Sequence, residues 1–206
     1  MLLEGGPLKR RQFLDWGVFH VEHTYTEVWR RFQKTLKQRN QLLRHGRMDE
    51  DLLRTWTAEL IPLCEHITRF RRQYLSSLAG HVSNAVSAFE GLGKVSLEYY
   101  CGWDEERTLA DVYTADHGRD IGTKTTNHGA HRADIRIKVD GRAAAEHLSR
   151  GQIKLLVYAL KLAQAGYYRE NTGESCLFLL DDLPAELDYQ HRRQVISYLN
   201  DLGCQY

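Results

Sequence analysis

The chain has 206 residues, with 28 Lys+Arg against 27 Asp+Glu and a formal net charge of +1. Charged residues make up 27% and hydrophobic ones 42%, ordinary globular values that exclude disordered and fibrous classes. One large domain or two small lobes fit this length, and near-neutrality restricts polyanion binding to a local basic patch.

The four cysteines, Cys64, Cys101, Cys176 and Cys204, are far apart in sequence and form no C-x-x-C pair. They predict a reduced cytoplasmic chain with neither a disulfide framework nor a zinc site. No apolar run reaches membrane-spanning length, and the first residues lack the basic and apolar regions of a signal peptide. Neither secretion nor membrane insertion is expected.

Gly5-Gly6-Pro7 feeds directly into a helical pattern, and Cys204-Gln205-Tyr206 after Gly203 reads like the start of a strand. Both ends read as the middle of a fold, so a fragment is expected. From about Thr26 to Leu43 the apolar positions Trp29, Phe32, Leu36 and Leu43 have helical spacing. From Trp29 to Arg47 the chain carries Arg30, Arg31, Lys34, Lys37, Arg39, Arg44 and Arg47 with no acid. Arg44-His45-Gly46-Arg47 then reads as a turn.

Leu53, Trp56, Leu60, Leu63, Ile67, Phe70 and Tyr74 alternate steps of three and four, a heptad seam that Leu78, Val82, Val86 and Phe89 continue. Pro62 predicts a kink or a break near Thr57–Ile61. Two long helices joined by a short turn predict an antiparallel pair. After Gly91-Leu92-Gly93 the period changes. Val95, Leu97 and Tyr99 alternate with polar residues and Tyr100, which predicts a strand. A short helix over 109–117 and a strand over 133–139, closed by the turn dipeptide Asp140-Gly141, follow.

Leu148-Ser149-Arg150-Gly151-Gln152 opens a largely apolar helix. Ser149 with Gln152 three residues later has capping-box spacing. Gly151 permits close approach of a ligand or another chain, and a helix N-terminus attracts phosphate. The same box equally serves a capped core helix with no ligand. Cys176-Leu177-Phe178-Leu179-Leu180-Asp181-Asp182 is an apolar run without alternation. It reads as a strand buried on both faces of a parallel sheet, with two acids where open α/β sheets bind ligands. One carboxylate suits Mg²⁺ and its neighbour suits a water, although adjacent acids at a strand end also serve as helix caps. Asp188 suits the N-cap of a last helix.

In this order, these motifs resemble ATP-binding-cassette ATPases. Leu148–Gln152 resembles their signature motif, Leu177–Asp182 their Walker B strand, and Ala185–Asp188 their D-loop. Within that superfamily the chain is similar to the RecF family. The likeness rests on Gly5-Gly6-Pro7 with Arg10–Gly17, Lys37–Asn40, His128-Gly129 with His131–Asp134, Leu148–Leu155, and Asp181-Asp182 with Glu186–Asp188. It spans essentially the whole chain.

The resemblance implies a mixed α/β fold, a P-loop NTPase of the cassette-ATPase head type. Here that is mainly the helical signature lobe plus part of the nucleotide-binding sheet. The expected division is a helical arm over 1–90, a small mixed region over 91–147, and over 148–206 the signature helix, Walker B strand and following helix. It also implies an ATP-dependent DNA-binding protein of recombinational repair and replication restart. Such a protein is a slow ATPase that dimerises around ATP and Mg²⁺ on double-stranded and gapped DNA and works with RecO and RecR to load recombinase. By residue, Ser149, Gly151 and Gln152 would contact the γ-phosphate bound by the opposite subunit. Asp181 would hold Mg²⁺, Asp182 would orient the attacking water, and Asp188 would help couple the subunits. Arg30, Lys34, Lys37 and Arg44 would meet DNA phosphates, unless they are simply a solvated helix face.

Two departures stand out. Ala185 occupies a D-loop position that is usually Ser, and no G-x-x-x-x-G-K-[ST] stretch occurs anywhere in the sequence. The chain alone is therefore expected to bind ATP poorly and to hydrolyse none. An ATP-independent DNA-binding or protein-docking helical module is the competing reading. His117, His128 and His131 read as parts of hydrogen-bonded turns rather than metal ligands. A chromosome-maintenance head does not fit, because only about one hundred residues separate the helical pair from the signature-like motif.

Overall fold

The computed structural model describes residues 2–44, 49–181 and 183–206. The turn expected at Arg44–Arg47 lies mostly outside them, as does Asp182. Among the described residues the helices are α1 (Pro7–Val21), α2 (Tyr25–Arg44), α3 (Glu50–Ser87), α4 (Leu109–Ala115), α5 (His117–Thr123), α6 (Ala144–His147), α7 (Arg150–Thr172), α8 (Leu183–Glu186) and α9 (Tyr189–Asp201). The strands β1 (Val95–Tyr100), β2 (Asp134–Val139) and β3 (Arg142–Ala143) form one sheet in the order β1-β2-β3. The mixed α/β expectation holds, and helix dominates. No helix among the described residues is long and apolar enough to cross a membrane.

The chain divides into two compact units built from interleaved segments. The first comprises 1–21, 73–98 and 135–206, and the second 22–72 and 99–134.

In the first unit α7 forms the core, with Ile153, Leu155, Leu156, Ala159, Leu160, Leu162 and Ala163 buried. Gly17 of α1 permits a close approach, because a Cβ there would lie 2.0 Å from the Tyr74 hydroxyl oxygen. Gln164 secures this junction by donating to the Phe13 carbonyl at 2.9 Å and to the Tyr74 hydroxyl at 3.0 Å. Asp140 (φ 49°) and Gly141 (φ 79°) turn β2 into β3, as their dipeptide predicts, and pair Val139 with Arg142. β3 itself is too short to register in the sequence pattern.

The second unit is organised by a buried ion pair. The Arg39 guanidinium donates to Asp120 at 2.8 Å, and each side chain is 1% exposed. Arg39 also donates to Thr126 Oγ1 at 2.7 Å and to Thr57 Oγ1 at 2.9 Å, and it lies over the Tyr113 ring. Asp120 accepts two further bonds from Asn127, and Asn40 accepts two from Thr126. The sequence groups Arg39 with the basic face of α2, whereas its buried pairing makes it a structural residue. Helix periodicity explains this, since Arg39 shares the inward side of α2 with the buried Phe32, Thr35, Leu36 and Leu43.

Two further expectations are refined. Of the kink or break expected near Pro62, the break is absent, because α3 runs continuously from Glu50 to Ser87. Burial of Leu60, Leu63, Cys64 and Ile67 on one face outweighs the cost of the proline, about 3 kcal/mol. The 109–117 helix is two helices, α4 and α5, meeting at Asp116.

Removing one partner of a buried ion pair leaves the other charge without compensation. Arg39→Ala is therefore expected to lower the unfolding free energy by about 3–5 kcal/mol. Urea denaturation of both chains reads this directly, and an unchanged midpoint contradicts the assignment.

Candidate functional site

The residues singled out by sequence fall in both units. Ser149, Gly151, Gln152, Asp181 and Asp188 belong to the first, and Arg30, Lys34, Lys37 and Arg44 to the second.

Ser149 is the N-cap of α7, with φ −65° and ψ 162°, and the capping box is complete. The Gln152 N–H donates to Ser149 Oγ at 3.3 Å, and the Ser149 N–H donates to Gln152 Oε1 at 3.0 Å. Helix geometry leaves the N–H groups of Arg150 and Gly151 without an intrahelical acceptor. Ser149, Arg150 and Gly151 are all exposed, and a Cβ on Gly151 would meet nothing within 4 Å. The first turn of α7 is thus an open set of donors at the positive end of a 23-residue helix. Gln152 has a different position. Its amide NH₂ donates to the Gly91 carbonyl at 2.9 Å, so both ends of its amide are engaged within the fold.

α9 begins in a similar way. Asp188 caps it by accepting from the His191 N–H at 2.9 Å, and the same carboxylate meets His191 Nδ1 at 2.6 Å. The His191 backbone N–H first, and its imidazole second, hold the Asp188 carboxyl below the usual carboxylate range. His191 Nε2 faces the Glu90 carbonyl at 3.2 Å, and Gln190 donates to the Glu90 carboxylate at 2.6 Å. Glu90 and Gly91 therefore bind the starts of both α9 and α7 through consecutive carbonyls. Sequence reasoning missed this turn and His191; only the positive φ of Gly91 (82°) left a trace, as a glycine.

The segment before Asp181 differs from expectation. It is not a strand buried on both faces. Leu177 makes a single parallel bridge to Gln205, and Leu177 and Leu179 are 66% and 89% exposed. Cys176, Phe178 and Leu180 are half-buried, so the segment alternates. A strand is buried on both faces only when packed layers cover both sides of its sheet, and the side carrying Leu177 and Leu179 has no such cover among the described residues. Asp181 is exposed and lines a concavity of about 280 Å³ with Lys154, Tyr158, Lys161 and Glu186. Lys154 pairs with Glu186 at 3.0 Å. No group of three or more His, Cys, Asp or Glu converges as a cation site among the described residues. A single exposed carboxylate still fits Mg²⁺, which usually takes one or two carboxylates and completes its shell with water and phosphate.

On α2, Arg30, Lys34, Lys37 and Arg44 are all exposed. At 100° per residue they fall within one narrow stripe, roughly 21 Å long. His128 pairs with Asp116 at 2.5 Å, His131 meets the Thr126 carbonyl at 2.9 Å, and His117 pairs with Glu50 at 3.3 Å. Each histidine serves a separate local contact.

No family model matches the sequence. Individual relatives do. The DNA replication and repair protein RecF of Chromohalobacter salexigens is 47% identical over 204 residues, which is 99% of this chain and 56% of that protein. RecF of Pseudomonas paraeruginosa is 46% identical over 204 residues and 55% of its length. The chain thus spans a little over half the length of the curated relatives it matches. Among solved structures, that of the recombination mediator protein RecF-ATP in the RecFOR pathway aligns with a TM-score of 0.85 at 27% identity. The alignment covers 99% of this chain and 57% of the other. A RecF-ATPrS structure from the same pathway gives a TM-score of 0.82 over 94% of this chain.

Ser149→Ala removes a side-chain cap and is expected to cost ~1 kcal/mol in urea unfolding. Gly151→Ala meets open space in a helix and is expected to leave stability unchanged or raise it by up to ~1 kcal/mol. The lowered pKa of Asp188 gives a pH signature. Its stabilisation is complete above the ordinary carboxylate pKa and is lost as pH falls through the lower folded value. The melting-temperature difference between wild type and Asp188→Asn should therefore shrink on acidification from about pH 5 to pH 2. A constant difference contradicts the charged cap.

Proposed function

We propose, because this chain belongs along its whole length to the RecF family, that it supplies the signature-type half of an ATP-gated, DNA-binding machine of recombinational repair. The observation that carries this reading is the open first turn of α7, capped by Ser149 and bare at Gly151. ATP would supply a terminal phosphate to that turn. The Ser149 hydroxyl and the N–H groups of Arg150 and Gly151 would hold it, arriving from the opposite subunit of a dimer. Gln152 fixes the geometry of the turn from within, through Ser149 and Gly91, rather than acting as a free phosphate ligand.

Mg²⁺ would be held by Asp181 and would neutralise phosphate charge. Asp182 would orient the attacking water; it lies outside the described residues. Asp188 would act on the dimer through the start of α9, whose position it sets with His191. The sequence holds no G-x-x-x-x-G-K-[ST] stretch, so the phosphate cradle comes from another polypeptide segment. DNA would lie along the α2 stripe, its phosphates meeting Arg30, Lys34, Lys37 and Arg44 without reading of bases. RecO and RecR remain the proposed partners in loading recombinase, in cytoplasm. The ATP-independent docking module is the second reading. The fully engaged Gln152 amide favours it, because a capped helix needs no nucleotide.

Two measurements test the proposal. The purified chain with Mg²⁺ and ATP is expected to show no turnover; hydrolysis that disappears in Asp182→Asn would overturn the requirement for an outside cradle. For DNA, Lys34→Glu with Lys37→Glu should weaken duplex binding. The change should also reduce the log–log salt slope by about 2, as two phosphate contacts are lost. Unchanged binding removes α2 from the interface.

A further inference from the structure

Gly173 ends α7 in the left-handed conformation (φ 74°), and Gly203 does the same after α9 (φ 58°). The two turns place the chain on parallel paths. Leu177 bridges Gln205, and the Phe178 N–H donates to the Gln205 carbonyl at 2.8 Å. This register sets Cys176 beside Cys204. Side chains alternate along extended backbone, so both thiols leave the same face. The Cys176 N–H faces the Cys204 thiol, and the two thiols interact electrostatically. Neighbouring extended chains lie ~4.8 Å apart. That falls inside the Cα separation a disulfide spans, roughly 4.4–6.8 Å. Both cysteines are free thiols.

We propose that Cys176 and Cys204 form a reversible disulfide site, oxidised by exchange with a low-molecular-weight disulfide such as oxidised glutathione. Cys176 is half-buried and is the entry sulfur, while Cys204 is 8% exposed and resolves. The Cys176 thiol loses its proton to solvent, and its sulfur attacks one glutathione sulfur. The glutathione S–S bond breaks, and the first glutathione leaves as thiolate. The deprotonated Cys204 sulfur then attacks the Cys176 sulfur of the mixed disulfide and expels the second glutathione. Cys204 likewise gives its proton to solvent; two protein thiols are oxidised, one glutathione disulfide is reduced to two thiols, and solvent supplies the two protons that the released thiolates take up.

Burial raises the pKa of both thiols, and Cys204 adds to the rise at Cys176; at Cys204 the Cys176 N–H and Arg169 offset part of the rise. The pair therefore rests as thiols, and because only the thiolate attacks, exchange is slow at neutral pH and speeds up as pH rises. Oxidation would clasp the segment leading to Asp181 onto the turn after α9. The site owes nothing to the nucleotide reading and stands whether or not that reading does.

The test is peptide mass mapping of the folded chain after incubation with oxidised glutathione and alkylation of remaining thiols. The expected product has lost two hydrogens, links the Cys176 and Cys204 peptides, and reverts with dithiothreitol. Cys64 and Cys101 should stay unlinked; burial holds the Cys64 thiol up at about 12. Cys204→Ser should stop the reaction at a glutathione adduct on Cys176. A stable adduct on Cys176 in the unaltered chain overturns the proposal. So does a linkage through Cys64 or Cys101, or no reaction under conditions that link all thiols in urea.

Discussion

Two consecutive carbonyls, those of Glu90 and Gly91, fix where two helices begin. Gln152 reaches Gly91 from the first turn of α7, and His191 reaches Glu90 from the first turn of α9. The body of α7 is buried, so the helix cannot slide to relieve a strained end. Its first turn must therefore be satisfied in place, and the capping box does this while leaving Arg150 and Gly151 bare. A rigid, capped and open helix start is what phosphate recognition needs, because donors already in place bring no reorganisation cost. Packing and proposed chemistry meet at that turn.

The second unit solves a different problem. A buried guanidinium is tolerable only if its charge and donors are matched. Asp120, Thr57 and Thr126 match Arg39, and Asn40 and Asn127 bind the loop that carries them. The network draws one cation of α2 inward and leaves Arg30, Lys34, Lys37 and Arg44 exposed on the other side. It also joins two blocks that first suggested the family, Lys37–Asn40 and the stretch around His128. Their residues serve folding here, and the DNA proposal rests on the outer stripe.

Much of this was legible from local spacing. The capping box depends on residues three apart, and the Asp140-Gly141 turn on neighbours. The long α3 seam depends on a regular period. The misreadings share one cause: the outcome depended on partners distant in sequence. Pro62 does not break α3, because burial of Leu60, Leu63 and Ile67 outweighs one lost hydrogen bond. Cys176–Leu180 has the composition of a doubly covered strand, but coverage comes from the layers packed on a sheet and not from the run itself. Arg39 looks like its basic neighbours until Asp120, 81 residues away, is placed against it. The nearness of Cys176 and Cys204 was equally hidden, because two glycine turns create it.

The central claim is that the first turn of α7 holds an ATP phosphate presented by a second subunit. Sedimentation of this chain with a full-length RecF relative, with and without ATP and Mg²⁺, tests it most directly. A charge at Gly151 opposes phosphate, while open space there spares the fold. The account predicts a complex that forms only with ATP and is lost in Gly151→Asp, with the circular dichroism spectrum unchanged. A complex indifferent to ATP, or one that survives Gly151→Asp, would contradict it.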